Sequence, residues 1–203
     1  MALDFNRYTN CYCPGHLDCK ADEEALMEKL TLAVFITPLI ALLLNIYFYF
    51  YFRNQGTEKK MYNSLISSII ILSFIANFIW EMLQMPFFAG MQFNWQSAIF
   101  CALASVADTL MVLILLNGFA LFFNNIKWIF SMNSLQIFLL IILGGIGAVL
   151  AERIHLNAGS WKYSAAMPII PILNAGAIPV LQFMFLPLMI FKLIAIIIEK
   201  QRV

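Results

Sequence analysis

Five apolar runs dominate this chain, and each is about as long as a lipid hydrocarbon layer is thick. They cover Leu30 to Phe52, Tyr62 to Met85, Ala98 to Phe123, Leu135 to Ala151, and most of Ile178 to Ile198. Crossing about 30 Å of hydrocarbon takes about 20 helical residues. Composition points the same way: 63% of the 203 residues are hydrophobic, 11% are charged, and the mean hydropathy is +0.86. A soluble domain is about 45–50% apolar and about 25% charged. The expected fold is therefore all-α, a polytopic membrane bundle of five spanning helices over residues 30–198. A Cys- and acid-rich extramembrane tail, residues 1–29, precedes it, and a short basic tail, 199–203, follows.

The stretch "MPIIPILNAG" before the last run is apolar but broken by Pro168, Pro171, Asn174 and Gly176. Proline removes a backbone donor and glycine frees the chain. Residues 167–176 are thus expected to form a kinked extension of the last helix or a short re-entrant piece covered by protein.

The net charge of +1 offers no basic stripe for nucleic acid, and no phosphate loop, HExxH or GxSxG motif occurs. The first 29 residues hold six acids against three bases, unlike a cleavable signal peptide, so the first run is expected to act as a retained anchor. Lysine and arginine set orientation. Arg53, Lys59, Lys60, Lys127, Lys200 and Arg202 share one side, six bases against five opposite. The expected arrangement is a cell-membrane protein with its N-terminus outside and its C-terminus cytoplasmic.

Function must come from the few polar residues inside the runs. Only four acids lie between Leu30 and Ile198: Glu58 in a charged loop, then Glu81, Asp108 and Glu152. A charge at a helix centre costs about 2.5–3.5 kcal/mol, so such groups face the bundle interior and pair. In "NFIWEMLQMP", Asn77, Glu81 and Gln84 follow i, i+4, i+7 spacing and share one helical face. Two readings fit: a polar stripe that ties helices together, or a desolvated carboxyl that carries a proton. Asp108, about ten residues into the third run, is the deepest acid. It serves either packing, with Asn117 as one partner, or proton and substrate handling.

"AERIH" places Glu152 and His155 three apart on one face, with Arg153 turned aside. Glu-x-x-His supplies ligands in di-iron bundles, but two copies are needed there. Here it occurs once, which leaves at most a mononuclear site of Glu81, Glu152 and His155. Arg153 or His155 is otherwise expected to neutralise Glu81 or Asp108. Because alternate helices run in opposite directions, Glu81, Gln84, Glu152, Arg153, His155, Trp161, Tyr163 and Asn174 all fall at one end of the bundle, with Asp108 beneath them. That set is the expected pocket: Glu81, Asp108, Glu152 and His155 as candidate catalytic groups, and Asn77, Gln84, Arg153, Trp161, Tyr163 and Asn174 as candidate binding groups.

In the tail, "CYCPGHLDC" spaces Cys11, Cys13, His16 and Cys19 as C-x-C-x2-H-x2-C. This is tighter than ordinary zinc spacing; outside the cell a disulfide from Cys19 to Cys11 or Cys13 competes with metal binding. Cys101, alone in an apolar run, reads as packing.

The run from Trp161 through Tyr163 to Pro168 and Pro179 is similar to part of the membrane cyclases of carotenoid synthesis. Those enzymes carry paired acids after the proline of their signature, where this chain has "IPVLQF", so the resemblance implies none of their chemistry. The residues themselves support a membrane-embedded enzyme using acid/base chemistry on a lipid, an isoprenoid or another small hydrophobic substrate. The alternatives are a small transporter or proton relay, which small size and the absence of inverted repeats disfavour, or a non-catalytic accessory subunit. Membrane lipid is the expected partner and nucleic acid is not; the sequence names no cofactor.

Overall fold

A computed structural model describes residues 32–54 and 59–200, with side chains from residue 36 onward. The candidate ligands Cys11, Cys13, His16 and Cys19, and most of both expected tails, lie outside the described residues. Five helices are long and apolar enough to cross a membrane. They are α1 (Leu32–Asn54), α2 (Lys59–Gln84), α3 (Trp95–Phe122), α4 (Ser134–Asn157) and α5 (Ala177–Lys200).

Local chemistry sets several of the ends. Asn94 caps α3, its side chain accepting from Ser97 N at 2.8 Å. Asn133 and Gln136 cap α4 reciprocally, at 2.9 Å in each direction. This satisfies two of the donors that every helix start leaves open. α4 runs past the expected end at Ala151 to Asn157 because nothing in "ERIHLN" breaks a helix. It stops before Gly159, which takes φ +71°, a left-handed conformation that glycine adopts without side-chain clash.

α2 packs on α3 and α5, α4 packs on α5, and α1 docks on α3. α4 and α5 approach closely at two glycines. A side chain at Gly144 would run into the Phe183 carbonyl oxygen, and one at Gly145 would meet Met184 Cγ at 3.0 Å. The small residues of "GGIGA" thus let two backbones touch, the usual device where lipid leaves no hydrophobic force between helices.

The interior divides along the bundle. One end is an apolar core of Tyr62, Leu65, Ile69, Leu116, Leu140 and Phe191 around Trp128. The Trp128 ring stacks on Phe119 with centroids 4.9 Å apart, and its Nε1 donates to Leu116 O at 3.1 Å. The other end buries Ser73, Asn77, Gln84, Ser97, Ser105, Glu152 and Gln182. Large aliphatic side chains remain exposed on every helix, among them Ile71, Leu103, Ile146 and Ile196. This reverses the soluble pattern and suits a hydrocarbon solvent.

Residues 167–176, expected as a kinked or re-entrant piece, form a small hairpin. Strands β1 (Ile169–Ile170) and β2 (Ala175–Gly176) pair antiparallel, Ile169 opposite Gly176. The turn places Asn174 at φ +48°, exposed, with its N–H on Ile170 O at 2.9 Å. Asparagine tolerates this left-handed geometry better than most residues. The loop after α4 also pairs with the loop after α2: Ala89 N donates to Lys162 O at 2.8 Å and Ser164 N to Phe87 O at 2.9 Å.

Candidate functional site

The polar end centres on a residue that the search for ionisable groups passed over. Gln182, one turn into α5 and 1% exposed, inserts its amide between α2 and α3. Its Nε2 lies 2.9 Å from Asn77 Oδ1, 3.0 Å from Asp108 Oδ2 and 3.4 Å from Glu81 Oε1. Its Oε1 accepts from Gln84 Nε2 at 3.5 Å. Gln84 Nε2 also donates to Glu81 Oε1 at 2.6 Å. Asn77, Glu81 and Gln84 thus share a face as their spacing requires, and that face meets Asp108 and Gln182.

Glu81 Oε1 and Asp108 Oδ2 converge on the same Gln182 nitrogen, which brings the two carboxyls together between α2 and α3. The Gln182 amide has two hydrogens and three oxygens around its nitrogen; the most distant, Glu81 Oε1, takes its hydrogen from Gln84 Nε2. Both acids are partly buried.

A second group sits just beyond. Glu152, buried on α4, accepts from the Tyr163 hydroxyl through a short hydrogen bond and from Trp161 Nε1 at 3.4 Å. The Tyr163 hydroxyl in turn accepts from Gly176 N at 2.8 Å. A Cβ at Gly176 would crowd the Tyr163 hydroxyl at 3.1 Å and displace Met167 Sδ, which it would approach to 2.9 Å. Tyr163 lies outside the helices. Burial first, and then the bond to Glu152, push its hydroxyl above the ordinary tyrosine range, so it stays a donor.

His155 stacks on the Trp161 ring, with centroids 4.4 Å apart, and its Nδ1 lies 3.4 Å from Ser160 Oγ. Arg153 is exposed. The expected pairing of Glu81 or Asp108 with Arg153 or His155 does not form. Glu81 instead takes Gln84 and Gln182, because α5 rather than the end of α4 lies against the polar face of α2. Asp108 and Asn117 are not partners either. Asn117 Nδ2 donates to Asn45 Oδ1 at 3.3 Å, tying α3 to α1. Asn174 belongs to the hairpin turn, apart from the acids.

The assembled set is therefore Asn77, Glu81, Gln84, Asp108 and Gln182, with Glu152, Trp161 and Tyr163 beside it. Gln182 had one available signal: a lone amide within the apolar run after Pro179 has to find a partner inside the bundle. Among the described residues, no three His, Cys, Asp or Glu side chains come together as a metal site. No protein-family model, curated protein or solved structure matches this chain.

Proposed function

We propose that this is a multi-pass membrane protein that takes up and releases a proton at the Glu81–Asp108 pair. The observation that carries this reading is the convergence of the two carboxyls on one buried amide, Gln182. Two acids brought together within an apolar bundle hold a proton between them, because two adjacent charges cannot both ionise without solvent. Glu152 and Tyr163 lie on the side of the polar cluster nearest the bundle end, where a proton would arrive from water. The N-terminus is placed outside and the C-terminus in the cytoplasm, in line with the bias of Lys and Arg between the loops.

One observation favours a second reading, acid/base catalysis on a lipid or isoprenoid. Glu81 and Asp108 each keep some exposed surface, and the rings of Phe88, Trp161 and Tyr163 cluster near Glu152. A hydrophobic substrate could reach the acids from the bilayer side.

Infrared difference spectroscopy between acid and alkaline pH tests the proton reading directly. Wild type should show a protonated-carboxyl carbonyl band that changes with pH, and Asp108→Asn and Glu81→Gln should each remove or shift it. A band unaltered in both variants would refute the assignment.

A further inference from the structure

The hairpin before α5 presents an apolar tip that the bundle does not cover. Its inner side is fastened: Ile170 packs against the buried cluster of Ala148, Ala175 and Val180, which joins the hairpin to α4 and α5. Its outer side is not. Ile172 is 91% exposed, Ile169 44% and Leu173 37%, with Pro168 and Pro171 exposed beside them. No charged side chain occurs anywhere in residues 163–191. An exposed apolar run of this kind marks a contact surface.

We propose that this tip inserts into the headgroup–acyl boundary of the leaflet at the polar end of the bundle, with membrane lipid as its partner. The tip is continuous with the lipid-facing surface. It leads, with no charge between, into Leu181 and Phe185, which are exposed on a helix long and apolar enough to cross a membrane. Phe93 and Trp95 are exposed at the start of α3, at the same end of the bundle, and aromatic rings settle at the membrane–water boundary. Size argues against a second copy of the chain. A stable protein interface takes about 800 Å² from each partner, more than three side chains on a short hairpin offer.

Backbone chemistry selects the depth. The turn closes several of its own donors: Leu173 N and Asn174 N both donate to Ile170 O, at 3.1 and 2.9 Å, and Ala177 N donates to Pro168 O at 2.7 Å. The two prolines have no N–H to satisfy. A two-stranded sheet still has two open edges, and open edges do not face lipid within the hydrocarbon region. The boundary layer meets both demands. Water and headgroups reach the backbone there, while Ile169, Ile172 and Leu173 reach the acyl chains, about 5–10 Å in, as an interfacial helix does. Gly176 N, on the second strand, donates to the Tyr163 hydroxyl at 2.8 Å, so the inserted hairpin also holds Tyr163 and Glu152 near that boundary. None of this depends on the proton reading above.

Fluorescence quenching on the full chain in phosphatidylcholine vesicles tests the proposal. With Cys11, Cys13 and Cys19 changed to serine, a bimane label is attached at Ile172→Cys, at Leu173→Cys as a second tip position, and at Lys162→Cys as the reference in water. A nitroxide on the acyl chain near the headgroup should quench both tip labels several-fold more than the Lys162→Cys label. It should also quench them more than a nitroxide at the chain end does. Aqueous iodide should give the reverse order, quenching Lys162→Cys most. Iodide quenching at both tip positions as strong as at Lys162→Cys would put the tip in water and overturn the proposal. Stronger quenching by the chain-end nitroxide would overturn the boundary depth, and protection from every quencher would overturn lipid as the partner by showing protein over the tip.

Discussion

Replacing Gln182 by leucine removes the amide that joins three helices while keeping a side chain of similar length. In the folded protein, Asn77 Oδ1 then loses its donor at 2.9 Å and Asp108 Oδ2 its donor at 3.0 Å. The 3.4 Å contact to Glu81 is the third claim on two hydrogens and adds little. A buried acceptor left without a donor costs about 1–3 kcal/mol, and hydrogen bonds to charged groups lie toward the upper part of that range. Two such losses total about 2–6 kcal/mol. Leucine gains apolar contact in exchange, so the lower half, about 2–4 kcal/mol, is expected. Reversible unfolding in mixed detergent micelles would measure it. Asn77→Ala combined with Gln182→Leu should cost clearly less than the sum of the two single changes, since each removes the same bond. A loss below about 0.5 kcal/mol for Gln182→Leu, or strict additivity of the pair, would refute the claim that this amide holds the site together.

Gly144→Ala should destabilise by about 1–3 kcal/mol, because its methyl meets backbone at Phe183 and α4 must move away from α5. Gly145→Ala meets only the flexible Met184 side chain and should cost less in the same unfolding assay. Tyr163→Phe leaves both Gly176 N and Glu152 short of a partner and should cost about 1–3 kcal/mol. The folded hydroxyl titrates above the ordinary tyrosine range, so its contribution is complete below about pH 10 and is lost as pH rises through the higher folded value. Stability measured against pH should show a smaller alkaline fall in Tyr163→Phe than in wild type. For orientation, a cysteine at Gln92 should react with an impermeant thiol reagent on intact cells and one at Lys60 should not, with Cys11, Cys13 and Cys19 changed to serine.

The number of helices and their approximate limits were legible in the sequence because hydrophobic run length is a local property, set by the thickness of the medium to be crossed. So was the segregation of Glu81, Glu152, Trp161 and Tyr163 to one end, which follows from alternating helix direction alone. The shared face of Asn77, Glu81 and Gln84 follows from 3.6-residue periodicity. The partners of that face were not legible. Asn77 and Gln182 stand 105 positions apart, and nothing local in either run states that α5, rather than the end of α4, lies against α2. That choice is made by packing: Gly144 and Gly145 bring α4 so close to α5 that they form one unit. α5 then presents Gln182 to α2 and α3, while Glu152 is left to Tyr163 and Trp161. The hairpin likewise depends on Tyr163 bonding Gly176 N across the loop, a contact no turn propensity encodes. Charge alone predicted that Glu81 would seek Arg153. The tertiary structure decided otherwise, because α5 brings the Gln182 amide against that face while Arg153 stays exposed at the end of α4.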